Sequence, residues 1–450
     1  MSVDMQVLNG FIGHIENLGD MAQPTDMSDA DRVNKAKAVF KAKLSADKGV
    51  ELETCVHCGM CAEACHFYES TRDEKYVPIR KLDLIKRVYR REISPMRFIY
   101  RLFTKDITAQ DLEDSQELVY DSCTECMRCG LVCPMGINIA AMVNTMRQAL
   151  AEAGLIPAEL RAMEQEQSNL ISKYNTGSVF GFGNEDMEAA VKQMQKEGLH
   201  IPLNKEKADV MVLTTVVDFM LFKDVLMSTI KIMNKLGLDW TFRSCAFEGA
   251  NFGLLSGDEV LQATASNQIV NVAVSCGAKT VILPECGHSY PALRWEGAEH
   301  HGKPLPFEAL AISEFIGREV KAGNLKLKPI GKDKKITFHD PCKVGRWGGV
   351  FDEPREVFKA LDVDFKELPS HGVNNWCCGG GAGIFLLNSA THLRNKAFGI
   401  KINQVNATGA DSIVTSCASC RLNFLRGKMN ANWDKNIESL AELVGENLEE

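Results

Sequence analysis

Thirteen of the sixteen cysteines fall into three sets, and their spacing constrains the chain more than any other feature. Cys55, Cys58, Cys61 and Cys65 read C-x2-C-x2-C-x3-C; Cys123, Cys126, Cys129 and Cys133 repeat that spacing and are followed by Pro134. Three thiolates at steps of three residues reach three iron corners of one cube while the intervening amides point at its sulfides, and the fourth ligand comes from the other motif. The expected ligand sets are therefore Cys55, Cys58, Cys61 with Cys133, and Cys123, Cys126, Cys129 with Cys65, each holding a [4Fe-4S] cubane cluster. Two four-cysteine zinc sites are the alternative, disfavoured because zinc motifs divide their ligands two and two. His66 stands where proline usually follows the fourth cysteine, a departure that bears on the chain path or on neighbouring hydrogen bonds.

The third set is Cys342, Cys377, Cys378, Cys417 and Cys420, and it contains a Cys-Cys-Gly-Gly-Gly run that no ordinary ferredoxin needs. Neighbouring side chains diverge from the backbone, so Cys377 and Cys378 both touch one cluster only if it is distorted or unusually placed. Gly379, Gly380, Gly381 and Gly383 remove side chains where backbone must approach a bulky group and adopt positive φ cheaply. Cys342 follows His339-Asp340-Pro341 at the end of one expected strand, and Cys417 and Cys420 follow another. All five would converge at one sheet edge, where α/β domains hold ligands. A redox-active dithiol or a zinc knuckle is the bland alternative.

The rest of the chain divides around these sets. Residues 1–49 read as an irregular arm followed by a helix over Asp29 to Lys48; residues 50–174 form a helical two-cluster ferredoxin domain, its 57-residue insertion between Cys65 and Cys123 rich in helix formers. A helix is expected over Ile137 to Gly154. Glycine and asparagine from Asn175 to Asn184 mark a domain boundary, and 175–204 is read as a linker. Thereafter β-branched runs at Val210 to Val217, Thr280 to Leu283, Ile336 to His339 and Ser412 to Thr415 alternate with helices such as Phe222 to Leu236 and Ala390 to Thr408, the pattern of parallel α/β layers. A shift of 132 residues superposes Gly249 onward on Gly381 onward and Gly277 onward on Gly409 onward, so two related modules are expected, 205–325 and 326–450. The same shift sets Cys245 on Cys377 but Ala246 on Cys378, Glu285 on Cys417 and His288 on Cys420; the first module is degenerate and only the second keeps five cysteines.

Composition closes off other classes. A net charge of -8 disfavours nucleic acid as the general ligand, and the longest apolar stretch, Val210 to Phe222, is interrupted by Asp218 and too short to cross a bilayer. Cysteines grouped in metal-ligand spacings, with no signal peptide, point to a reducing cytoplasm.

A helical two-cluster ferredoxin followed by tandem cysteine-rich (CCG) modules, the last reading C-x34-C-C-G-x37-C-x2-C, resembles the catalytic iron–sulfur subunit of heterodisulfide reductase and its relatives in sulfite-reductase-linked and hydrogenase-linked respiratory complexes. The resemblance spans residues 50 to 430. It implies a noncubane [4Fe-4S] cluster on Cys342, Cys377, Cys378, Cys417 and Cys420, catalysing disulfide or thiol redox chemistry, with one such cluster per chain because the first module has lost its ligands. It also implies a membrane cytochrome b subunit and other redox subunits as partners, a thiol, disulfide or sulfur-carrier substrate, and a cytoplasmic location peripheral to the inner face of the membrane. Cleaving a disulfide takes two electrons while cubanes deliver one at a time, so a metal with changeable coordination would hold the half-reduced substrate.

Three functions stay open: a disulfide- or persulfide-active enzyme, an electron-transfer adaptor between a hydrogenase or dehydrogenase and a quinone module, and the iron–sulfur subunit of a glycolate or lactate oxidase. His339, Lys343, Arg346 and Arg421 lie within a few residues of ligands and are candidates to donate protons or attract an anionic thiol, and His288, with Glu285 and Cys286, could face the same cleft. For each alone an ordinary packing role is the commoner one. Arg80 to Lys105 carries nine Lys or Arg against two acids, with Lys86, Arg87, Arg90 and Arg91 at helical spacing, and runs on into Met96-Arg97-Phe98-Ile99-Tyr100-Arg101-Leu102-Phe103; the stretch suits docking onto a membrane subunit or anionic head groups as well as a merely solvated helix.

Overall fold

The computed structural model describes residues 3–174 and 179–449, so the first part of the boundary expected at Asn175 to Asn184 lies outside the described residues. The chain is multidomain: a helical amino-terminal half carries the first two cysteine sets, and a parallel α/β half carries the third.

The two ferredoxin motifs repeat one backbone conformation. His57 and Gly59 are left-handed (φ 52° and 81°), and so are Glu125 and Met127 (φ 50° and 64°), the equivalent positions of the second motif. Left-handed backbone costs an ordinary residue about 1 kcal/mol. Its use by three non-glycine residues reflects a loop forced to curl around a guest. A one-turn helix follows each loop, Met60–Glu63 and Arg128–Leu131. The helix Ile139–Glu152 then runs through the domain core, capped by the Asn138 side chain.

Several expected boundaries move. The amino-terminal arm is not irregular: Asp4 caps a helix, Met5–Glu16, whose Leu8, Phe11 and Ile15 form a buried stripe. Gly10 and Gly13 weaken its propensity and hide it from a local reading; packing supplies what propensity lacks. The single helix expected over Asp29 to Lys48 is two, Asp29–Lys43 and Ala46–Glu53, because the chain leaves helical geometry at Leu44 and restarts from Ser45. Within the expected linker, Asn184–Lys196 is an amphipathic helix burying Met187, Val191 and Met194.

Among the described residues of the second half, eight strands make two parallel sheets: β1 Val210–Val212, β2 Trp240–Thr241, β3 Thr280–Leu283 and β4 Glu308–Ala311 in the order β2-β1-β3-β4, and β5 Lys335–His339, β6 Asp364–Phe365, β7 Ser412–Thr415 and β8 Asn436–Ser439 in the order β6-β5-β7-β8. The order is the same in both, and so is the register: Val210 pairs with Thr280, and Ile336 with Ser412. β1 stops at Val212 rather than Val217, because Thr215 and Asp218 form a capping box that starts the helix Val216–Met220. In each sheet the strand order reverses between the two central strands, the crevice where open α/β sheets take ligands. In the second sheet that crevice lies past the ends of β5 and β7.

Candidate metal centre

Cys342 follows β5 and Cys417 follows β7, so both sit at the crevice, and Cys420 enters from the first turn of the helix Ala418–Ala431. Cys377 and Cys378 reach the same point on the glycine loop. All five are buried in one cluster. Gly379 and Gly383 are left-handed (φ 90° and 84°), and a Cβ on Gly380 would stand 2.8 Å from Asn423 Cβ, so the loop has no room for side chains where it turns back. Asn423 fastens it by donating to the Cys378 carbonyl at 2.7 Å.

The two ferredoxin motifs lie close together: Cys61 feels Cys55, Cys58 and Cys133, while Cys129 feels Cys126, Cys123, Cys65 and Cys61. Burial pushes up the thiols of Cys65 and Cys129, and that of Cys123 to about 11. Around the third set, contact with Cys377 holds Cys126 and Cys378 well below the usual range, and Cys377 and Cys420 are pushed up in turn. So many sulfurs packed out of water want a multivalent cation rather than protons. The donor set therefore fits iron–sulfur clusters.

Cys126 belongs to the ferredoxin half, yet it packs against the third cysteine set. Cys377 Sγ also donates to Thr124 Oγ1 at 3.3 Å, and a ring nitrogen of His66 lies within 4.8 Å of both the Cys126 and Cys377 sulfurs. The position vacated by proline thus puts a buried imidazole between two thiol sets.

Three arginines tie the halves together through backbone carbonyls. Arg147, fully buried, donates from Nη1 to Leu255 O (2.8 Å) and Ala382 O (2.6 Å) and from Nη2 to Val119 O and Cys123 O (both 3.0 Å). Arg128 bonds Ala64 O (3.0 Å) and Asn374 O (3.1 Å) and stacks 3.6 Å from the centre of the Trp376 ring. Arg346 donates to Cys126 O (2.8 Å), Val373 O (2.7 Å) and Asn375 O.

Of the groups expected beside the ligands, His339 faces the thiols: a ring nitrogen stands within 4.8 Å of the Cys378 and Cys420 sulfurs. Lys343 is held near Glu125, 3.7 Å away, and over the Trp347 ring. Arg346 and Arg421 do not offer a free charge. Arg346 is spent on the interface just described, and Arg421 makes a buried two-point pair with Glu442 (2.6 and 2.8 Å) beneath Phe222. The degenerate module contributes more than filler. Its Gly287 lets Cys417 approach, a Cβ there lying 3.2 Å from Cys417 Sγ, and His288 Nε2 accepts from Ala382 N at 3.2 Å; burial lowers the His288 pKa to about 4. Glu285 clamps the carboxy-terminal helix Leu440–Glu446 by accepting from Ala441 N at 3.0 Å. Arg147, Lys401 and Asn375 carry no motif and were invisible to sequence reasoning.

Residues 51–137 match the family of 4Fe-4S dicluster domains and residues 336–425 the family of cysteine-rich (CCG) domains. The chain is an iron–sulfur protein of the oxidoreductase class that joins these two domains, with an electron-transfer role. Over most of its length it resembles the heterodisulfide-reductase-like iron–sulfur subunits. It is 28% identical over 428 residues to the Hdr-like menaquinol oxidoreductase iron-sulfur subunit 2 of Archaeoglobus fulgidus, covering 83% of this chain and 75% of that one. It is 27% identical over 428 residues to a subunit of the dihydromethanophenazine:CoB--CoM heterodisulfide reductase of Methanosarcina mazei, covering 92% and 98%. A crystal structure of a hypothetical protein from Helicobacter pylori superposes with a TM-score of 0.54 at 12% identity, covering 91% of this chain and 76% of that one, a likeness of fold alone. No helix among the described residues is long and apolar enough to cross a membrane.

Proposed function

We propose that the chain passes electrons between two cubane [4Fe-4S] clusters and a noncubane [4Fe-4S] centre that carries out disulfide or thiol redox chemistry. Cys55, Cys58, Cys61 and Cys133 would hold the first cubane and Cys65, Cys123, Cys126 and Cys129 the second; Cys342, Cys377, Cys378, Cys417 and Cys420 would hold the third centre. Bound there, the clusters would supply single-electron storage and, at the third centre, chemistry at sulfur. The observation that carries the reading is the contact of Cys126 with Cys377, which sets a ferredoxin ligand against a ligand of the catalytic loop. The chain's own residues bury this junction from water and clip it shut through Arg128 and Arg346.

The names of the relatives, a menaquinol oxidoreductase subunit and a heterodisulfide reductase subunit, support work inside a respiratory complex, peripheral to the membrane beside a quinone-reactive cytochrome b. Within the segment read as a docking surface, the apolar end is better placed for such a partner than the basic end. Arg87 pairs with Asp111 (2.6 Å) and Arg90 grips Glu53 at two points (2.9 and 2.8 Å), whereas Phe98, Leu102 and Phe103 on the helix Arg97–Phe103 are 68%, 78% and 83% exposed. Exposed apolar side chains of this size on one short helix mark an interaction face.

The test is Cys378→Ala with paramagnetic resonance of the purified chain. Loss of the third signal with both ferredoxin signals retained is expected. Retention of all three refutes the assignment, and bound zinc in place of iron would refute it too.

A further inference from the structure

A buried hydrogen-bond chain runs beneath the third cysteine set. Lys401 Nζ donates to Asn375 Oδ1 and to Gln404 Oε1, both at 2.9 Å. Asn375 Nδ2 donates to Asp340 O at 2.7 Å and lies 3.2 Å from His339 Nδ1. Lys401, Asn375 and His339 are 1%, 2% and 0% exposed, so no solvent competes for these contacts.

The order of donors in this chain is forced. An ammonium or amine hydrogen faces Asn375 Oδ1, and a carbonyl, which only accepts, faces Asn375 Nδ2; both ends fix the same orientation of the amide. The second amide hydrogen therefore points at His339 Nδ1, which must accept it. A neutral imidazole that accepts at Nδ1 carries its proton at Nε2. His339 Nε2 has no oxygen or nitrogen partner. What remains before it is sulfur: Cys378 takes a hydrogen bond from this ring. Phe424 packs edge-on against the imidazole at 4.9 Å and holds its plane.

We propose that Lys401 and Asn375 are positioning residues that lock His339 in its Nε2–H tautomer, so that its ring donates to the Cys378 sulfur and raises the reduction potential of the centre on the five-cysteine loop. The inference rests on the function proposed above. A hydrogen bond to a ligating sulfur stabilises the more negative, reduced form, which is how proteins tune such centres. Lys401 adds a donor that cannot turn into an acceptor while it is charged, and Asn375 transmits that polarity to the ring.

The experiment is a redox titration of the intact, iron-loaded chain followed by paramagnetic resonance, with pulsed hyperfine spectroscopy before and after exchange into deuterium oxide. Asn375→Asp keeps an acceptor for Lys401 but offers oxygen to His339 Nδ1, reversing the tautomer. The third centre should shift to lower potential and lose an exchangeable-proton coupling, with both cubane midpoints unmoved. Lys401→Met should shift it in the same direction. In a His339→Phe background, Asn375→Asp should add nothing further. An unchanged midpoint and coupling in Asn375→Asp, or an equal shift with and without His339, overturns the proposal. Absence of any third signal in the unaltered chain would instead overturn the underlying cluster assignment, so the two failures are told apart before a variant is made.

Discussion

Arg346 Nη1 donates to the carbonyl oxygen of Cys126 at 2.8 Å, so a residue four places beyond Cys342 holds the backbone of a ferredoxin ligand loop. Arg346→Met should cost about 2 kcal/mol, roughly the penalty of leaving part-buried carbonyls unpaired, read as a lower urea midpoint. Were the guanidinium instead a substrate anchor, the variant would keep its stability and raise KM for an anionic thiol; that result would remove the stapling role.

Gly287 belongs to the module without ligands, yet it touches the other module's centre. Gly287→Val puts a branched side chain where a single Cβ already stands 3.2 Å from Cys417 Sγ. The third signal should fall and iron per chain should drop, while the ferredoxin signals stay intact. Full iron content with an unaltered third signal would show that Cys417 tolerates the push.

Burial raises the Glu164 pKa from the ordinary 4.5 to about 7, above its unfolded value. The folded chain then binds more protons than the unfolded one between those limits, so this group's contribution is fully present at low pH and is lost as pH rises through about 7. By pH 8 the ionised form costs roughly 2 to 3 kcal/mol. Glu164→Gln should remove that loss and flatten the dependence of unfolding free energy on pH over this window. An unchanged slope would mean the carboxyl finds compensation in its surroundings.

Phe98, Leu102 and Phe103 face outward without cover, while Arg87 and Arg90 are occupied by Asp111 and Glu53. Phe98→Ser combined with Phe103→Ser should release the chain from isolated membranes with its iron content unaltered. Charge reversal at Arg87 and Arg90 should lower stability through lost ion pairs before it affects membrane retention. The opposite ranking would restore the basic face as the anchor.

The iron–sulfur character of the chain was legible because its determinants are local. Ligand spacing within a loop is written along the chain, and the internal repeat exposed the paired sheets, with β3 falling on β7 at the predicted shift. The edge strands β2, β4, β6 and β8 went unread, since two to four residues at a sheet margin carry little alternation. The amino-terminal helix was hidden by its glycines. Asn375 and Lys401 were hidden differently: 26 residues separate them, and their meaning arises only when the helix Thr391–Thr408 folds beneath the loop. Within the docking segment the pairing of Arg87 and Arg90 was not legible, because their counter-ions, Asp111 and Glu53, come from outside it.

Arg147 joins three parts of the molecule by gripping main-chain oxygens of Val119, Cys123, Leu255 and Ala382. Every amino acid brings such an oxygen, so three of these four acceptors are free to drift during evolution, Cys123 being fixed by its thiol. The donor has no such liberty, because no other side chain spreads five N–H groups in a plane. Each of the three arginine clips therefore concentrates its mutational fragility in one codon while leaving the surfaces it unites open to change.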